Sequence, residues 1–176
     1  MTKRTDPNQR NWYIAYVKSC QERKAADALG KLSCEFYLPI QREVHQWSDR
    51  KKIVERLVIP HLIFVRCREC DRIPIRTSVS QICGYMSNGG PYNPAVVRDS
   101  EMETFRAMVE HSGRPISLAN TPLVAGDHVR VTSGPLAGYE CELVSVGGAR
   151  CLAVRLGALG TATMDLSVDS VEKISQ

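Results

Sequence analysis

The chain is predicted to be an α+β protein: an antiparallel sheet with flanking helices, followed by a small β-barrel. Three observations carry that prediction. The 176 residues exceed what one small domain needs, since domains centre on roughly 100–150 residues and many are smaller. Apolar runs up to residue 112 follow the order strand, helix, three strands and a final helix, whereas beyond residue 122 they are short and punctuated by glycine. Charge divides at the same place: residues 1–112 hold 18 Lys/Arg against 13 Asp/Glu (+5), and residues 113–176 hold 5 against 6 (−1). The expected organisation is a mildly basic domain over 1–112, a linker over 113–122 and a barrel over 123–176.

The opening run Trp12-Tyr-Ile-Ala-Tyr-Val17 is aromatic and β-branched, as a strand buried on both faces requires. Ser19 and Glu22 have the spacing of a capping box. Behind them Ala25, Ala28, Leu29 and Leu32 recur at i, i+3, i+4 and i+7, which predicts one apolar helical face. Phe36 to Ile40 reads as a strand bent at Pro39. Val44–Trp47 and Ile53–Val54 flank Ser48-Asp-Arg-Lys-Lys52, a charged hairpin tip. Leu57–Val65 is apolar apart from His61, with Pro60 marking a strand start or a break. Ser100 and Glu103 form a second capping-box pattern before Met102, Phe105, Met108 and Val109, the inner face of a further helix.

Gly113-Arg-Pro-Ile-Ser-Leu-Ala-Asn-Thr-Pro122 is rich in turn formers and lacks periodicity, hence the linker. Beyond it, Val129–Val131, Glu142–Val146, Cys151–Leu156 and Met164–Val168 alternate with glycine turns, the texture of a small barrel.

Composition narrows the function classes. The chain is 43% hydrophobic with a mean hydropathy of −0.22, values of a folded soluble protein. No run approaches the roughly 20 apolar residues of a membrane span, and the N-terminus lacks a secretory apolar segment, so a cytoplasmic location is expected. Seven cysteines, at 20, 34, 67, 70, 83, 141 and 151, include one CxxC, Cys67-Arg-Glu-Cys70. No second pair follows to complete a zinc site, and ordinary thiols are the expectation. His45, His61, His111 and His128 stand apart from other ligand-type residues, and phosphate-binding loops and nucleophile elbows are absent. We expect no catalytic residue, metal or cofactor.

Two stretches resemble a known family. Gly126-Asp-His-Val-Arg-Val-Thr-Ser-Gly-Pro-Leu-Ala-Gly-Tyr-Glu140 resembles a KOW motif, G-D-x-V-x-V then G-P-hydrophobic-x-G. The Trp12-Tyr13 strand, the basic helix after it and Ile59-Pro60-His-Leu-Ile-Phe64-Val65-Arg66 resemble the N-terminal domain of NusG-type transcription factors. The motifs stand in the family's order over about residues 11–174, and imply an NGN-like domain followed by an SH3-like barrel. Departures are His61-Leu62 for the usual Gly-Tyr, Leu136 for a common Phe and Cys141 for a Gly. Gly84 to Pro91 keeps the glycine character of a family loop without its wording. With the ending Val154 to Leu166, these features resemble the UpxY-type antiterminators of surface-polysaccharide operons.

The resemblance implies binding to the clamp helices of the RNA polymerase β′ subunit through an apolar depression, matched here by Tyr13, Tyr16, Leu57, Ile59, Leu62 and Phe64. Lys18, Arg23, Lys24 and Arg76 match the face toward upstream or non-template DNA, bound weakly given the +5 charge. Arg72 to Thr77 match the segment that meets the opposite polymerase jaw, and Pro74 argues against a long helix there. Leu136 and Tyr139 are the implied barrel contacts to a ribosomal small-subunit protein or Rho. The implied protein is a monomeric, non-catalytic modulator of pausing or termination that binds no membrane. Two other readings are an RNA- or ribosome-binding KOW protein, which the barrel's −1 charge disfavours, and a thiol oxidoreductase using Cys67 and Cys70.

Overall fold

The computed structural model describes residues 8–46, 51–90, 92–111, 115–119, 126–166 and 171–174. Every strand ladder among them is antiparallel, within the α+β class expected. The contacts divide the chain into two compact units. The first takes the residues up to Leu38, Ile59–Asp99 and Gly157–Leu159; the second takes Pro39–Val58, Ser100–Leu156 and the residues from Gly160 on. These units cut across the linear division 1–112, 113–122 and 123–176.

In the first unit the opening run forms β1 (Asn11–Val17), which sits inside the sheet because its side chains are apolar on both faces. Around it lie β2 (Glu35–Tyr37), β5 (Leu62–Cys67) and β6 (Ile82–Tyr85) in the order β2-β5-β1-β6, with β7 (Val96–Val97) also paired to β1. One face of β1 and β5 carries Tyr13, Ala15, Val17, Ile63, Val65 and Cys67. Against it pack Ala25 and Leu29 of α1 (Glu22–Lys31) and Ile75 of α2 (Arg72–Ser78). Ala25 and Leu29 are one helical turn apart, so the i, i+4 stripe points inward while Arg23, Lys24, Asp27 and Lys31 face water. Burying a side chain such as Leu29 contributes about 1.5–3 kcal/mol. Leu32, the last member of the expected stripe, is exposed because the helix has already ended there. The helix of Arg72–Ser78 has two turns, with Pro74 inside its first turn, where its missing N–H has no intrahelical partner to lose.

The second unit contains the charged hairpin as β3 (Ile40–Gln46) and β4 (Lys51–Leu57), paired from Ile40↔Leu57 to Gln46↔Lys51. Its tip residues Ser48 to Arg50 lie outside the described residues. Helix α3 (Asp99–His111) buries Met102, Phe105, Met108 and Val109 as expected, along with Ala107 and Thr104. It begins at Asp99, so Ser100 lies inside it rather than capping it.

The glycine-rich C-terminal region forms a six-stranded sheet in the order β13-β9-β10-β11-β12-β8. These are β8 (Ser117–Ala119), β9 (Asp127–Val131), β10 (Glu140–Val146), β11 (Ala149–Arg155), β12 (Thr161–Asp165) and β13 (Val171–Lys173). β8 falls within the stretch expected to be linker and pairs with β12 at Ala162↔Leu118. Val129 and Val131 alternate inward from β9. Gly134 and Gly138 hold φ of 85° and 92°, the left-handed region that glycine enters without a Cβ clash. A Cβ on Gly126 would collide with the Leu143 carbonyl, which explains the glycine before Asp127. Among the described residues, no helix is long and apolar enough to cross a membrane.

Candidate functional site

Side chains alternate across a strand, so the β1–β5 register sorts the expected polymerase-binding residues by face. Tyr16 stands opposite Leu62 and Ile14 opposite Phe64, while Tyr13 stands opposite Val65. The structure thus brings Tyr16, Leu62 and Phe64 onto one face and puts Tyr13 on the other, under the helices. Tyr13 is 1% exposed and belongs to the core, where its ring meets Tyr85 edge-on at 6.3 Å. Leu62, Phe64 and Ile59 are also buried, and Phe64 lies 6.4 Å from the Tyr37 ring. Leu57 of β4 is half-buried. Tyr16 alone among the six is well exposed, at 43%.

The cations Lys18, Arg23 and Lys24 gather at the corner between β1 and α1, all exposed, and Arg76 is exposed on the last turn of α2. In the C-terminal sheet Leu136 is buried in the turn after β9, and its carbonyl accepts from the Tyr139 N–H at 3.1 Å. Leu136 therefore packs the turn, leaving half-buried Tyr139 as the accessible member of that pair.

Three arrangements lay beyond the sequence reading. The first concerns the β1–α1 corner. Ser19 does not cap α1, whose N-cap is Gln21 with no side-chain cap hydrogen bond. Glu22, buried to 4% exposure, instead accepts from the backbone N–H of His61 at 3.0 Å, and the His61 Nδ1 lies 3.5 Å away. His61 has φ of 64°, a conformation that suits the glycine it replaces in the family pattern. That replacement was the available signal. Cys20 at φ 58° is held in the same conformation two residues before Glu22.

The second arrangement is a cation between rings. The Arg72 guanidinium sits 5.1 Å from the Tyr13 ring and 5.6 Å from the Tyr85 ring. Burial pushes both phenols above their ordinary range, with the Asn11 side chain and Arg72 offsetting part of it at Tyr13 and Arg72 and Arg76 at Tyr85. The third is Arg66, which bridges Glu35 at 3.3 Å and Asp99 at 3.0 Å while its guanidinium lies 5.9 Å from the Trp12 ring.

All seven cysteines are free thiols. Burial raises Cys67 to about 12 and Cys141 to about 11. A nucleophilic thiol needs the opposite shift, so Cys67 is poorly suited to lead oxidoreductase chemistry. No group of three or more His, Cys, Asp or Glu able to hold a metal occurs among the described residues.

The family model described as transcription termination factor nusG matches residues 10–106, from the opening strand into α3. Among solved structures, the chain is similar to Thermotoga maritima NusG, in a structure concerned with its domain interaction, at 21% identity over 97% of this chain and 100% of that one, with a TM-score of 0.46. It is similar also to MjSpt4:Spt5 complex chains in conformations A and B, at 14% and 15% identity over 94% of this chain and 99% and 97% of those, each with a TM-score of 0.29. No curated protein matches.

Proposed function

The chain belongs to the NusG family of transcription factors, and on that premise we propose that it is a non-catalytic elongation or antitermination factor that docks on the clamp helices of the RNA polymerase β′ subunit. The observation that carries the reading is the family match over residues 10–106, which includes β1, β5 and the exposed Tyr16 beside the cationic corner. Tyrosine suits such a contact because it offers apolar area with a polar tip.

Tyr16 leads the docking edge, and Leu57 is a separate candidate contact. Leu62, Phe64 and Ile59 support that edge from beneath, and Tyr13 acts as scaffold. Lys18, Arg23, Lys24 and Arg76 meet upstream or non-template DNA after polymerase has supplied most of the affinity, each phosphate contact adding salt dependence. Binding promotes elongation to the extent that the factor prefers the elongating polymerase over the paused one. Residues 123–176 recruit a second partner, a ribosomal small-subunit protein or Rho, through Tyr139. The sequence departures support a specialised UpxY-like role at a surface-polysaccharide operon.

Pull-down of polymerase by the full chain tests the reading. Replacing exposed Tyr16 by Ala, with the fold verified by circular dichroism, is expected to weaken capture about tenfold or more. Undiminished capture by Tyr16→Ala refutes the docking edge. Tight, salt-sensitive binding of free RNA without polymerase capture favours the KOW RNA-binding reading instead.

A further inference from the structure

The β2–β5 ladder pairs Tyr37 with Phe64, Phe36 with Val65 and Glu35 with Arg66. One more step in that register sets Cys34 opposite Cys67. Two further observations agree. Cys67 is part of the core cluster under α1 and α2, with half-buried Cys34 packed against it, and both thiols line one open cavity of about 300 Å³ with Arg10, Ser33, Asp71 and Ile75. Directly paired residues of antiparallel strands have Cα atoms about 4.5–5.5 Å apart, inside the range a disulfide spans. We propose that Cys34 and Cys67 form an oxidative modification site whose substrate class is a small hydroperoxide and whose product is a cross-strand disulfide tying edge strand β2 to β5.

The order of events follows from the surroundings. Cys34 is the more accessible thiol of the two and reacts first for that reason. Burial holds its pKa above the ordinary thiol range, the Arg10 charge offsetting part of that rise while Asp71 and Glu35 add to it, so this first step is slow. Its sulfur attacks one peroxide oxygen, the O–O bond breaks, and water or an alcohol leaves with the proton, giving a sulfenic acid at Cys34. The Cys67 sulfur then attacks the Cys34 sulfur. The S–O bond breaks as the S–S bond forms, and the departing hydroxide takes the Cys67 proton to become water. Two electrons pass from the two sulfurs to the peroxide.

Burial of Cys67 makes this second step slow too, so the site responds to sustained oxidant rather than to brief exposure. The neighbouring Cys70 is a poor alternative partner. It is exposed on the turn Glu69–Asp71, with its thiol directed at the Asp71 carboxylate at 3.7 Å.

The test treats the reduced full chain with millimolar hydrogen peroxide under native conditions, alkylates the remaining thiols and maps linked peptides by mass spectrometry. The expected product is an intrachain Cys34–Cys67 link, with the chain lighter by two hydrogens before alkylation and the change reversed by dithiothreitol. The link is lost in Cys34→Ser and in Cys67→Ser and retained in Cys70→Ser. Circular dichroism of the Cys70→Ser chain before oxidation establishes that the readout is taken on folded protein. A Cys67–Cys70 link, links only between chains, or persistence of both thiols after long exposure overturns the proposal.

Discussion

Position 61 offers a direct measure of backbone strain against side-chain compensation. His61 is held at φ 64°, where a residue with a Cβ is disfavoured by about 1–2 kcal/mol. In return its N–H reaches the Glu22 carboxylate at 3.0 Å, and its half-exposed imidazole lies 3.5 Å from the same oxygen. Replacement by glycine relieves the strain and keeps the N–H, but gives up the imidazole contact, worth at most about 1 kcal/mol at that exposure. It also raises unfolded-chain entropy by roughly 0.5–1 kcal/mol. The net change for His61→Gly is therefore within about 1 kcal/mol of zero. His61→Ala keeps the strain and gives up the imidazole contact, so it should be less stable than His61→Gly by about 1 kcal/mol. At the other end, Glu22→Ala removes a charged acceptor and should cost about 1.5–3 kcal/mol, whereas Glu22→Gln retains an acceptor oxygen and costs less. Urea unfolding followed by circular dichroism reads all four variants. Equal stability of the glycine and alanine variants refutes the strain argument, and a neutral Glu22→Ala refutes the role of the carboxylate.

Two further outcomes rest on side-chain packing and ion pairing. Tyr13→Ala should destabilise the protein by about 3–5 kcal/mol, as loss of a fully buried aromatic does, while Tyr16→Ala should change stability by no more than about 1 kcal/mol; comparable midpoint shifts on thermal unfolding refute the assignment of the two tyrosines to opposite faces. Glu142 is held below the usual carboxylate range by its two hydrogen bonds from Arg155, at 2.7 and 2.8 Å, with burial opposing. Its contribution to stability is therefore fully present above the ordinary glutamate pKa and is lost as pH falls through the lowered folded value. Glu142→Gln should flatten that acid limb in unfolding measured from pH 6 down to about 2, and an unchanged limb contradicts the pairing.

Much of the fold was readable one segment at a time. The apolar stripe of α1, the inner face of α3 and the alternation in β9 are consequences of helical and strand periods, which adjacent residues fix locally. Even the separation of Tyr13 from Tyr16 was available, since residues three apart on a strand face opposite ways. Which face the helices cover was not, because that depends on where α1 and α2 return to the sheet. β8 escaped notice for a related reason: three residues carry no period, and their strand character comes from the open edge of β12.

Periodicity, glycine placement and the order of motifs thus indicated the α+β class, helices α1 and α3 but not α2, most strands and the family resemblance. Long-range partners were decided only by the folded chain. Glu22 has the spacing of a capping-box residue yet serves His61, 39 positions away, because a buried carboxylate takes the N–H that geometry brings to it. Cys67 shares a CxxC with Cys70, yet the β2–β5 ladder that ends at Glu35↔Arg66 leads toward Cys34, because ladder pairing rather than proximity along the chain determines which side chains meet.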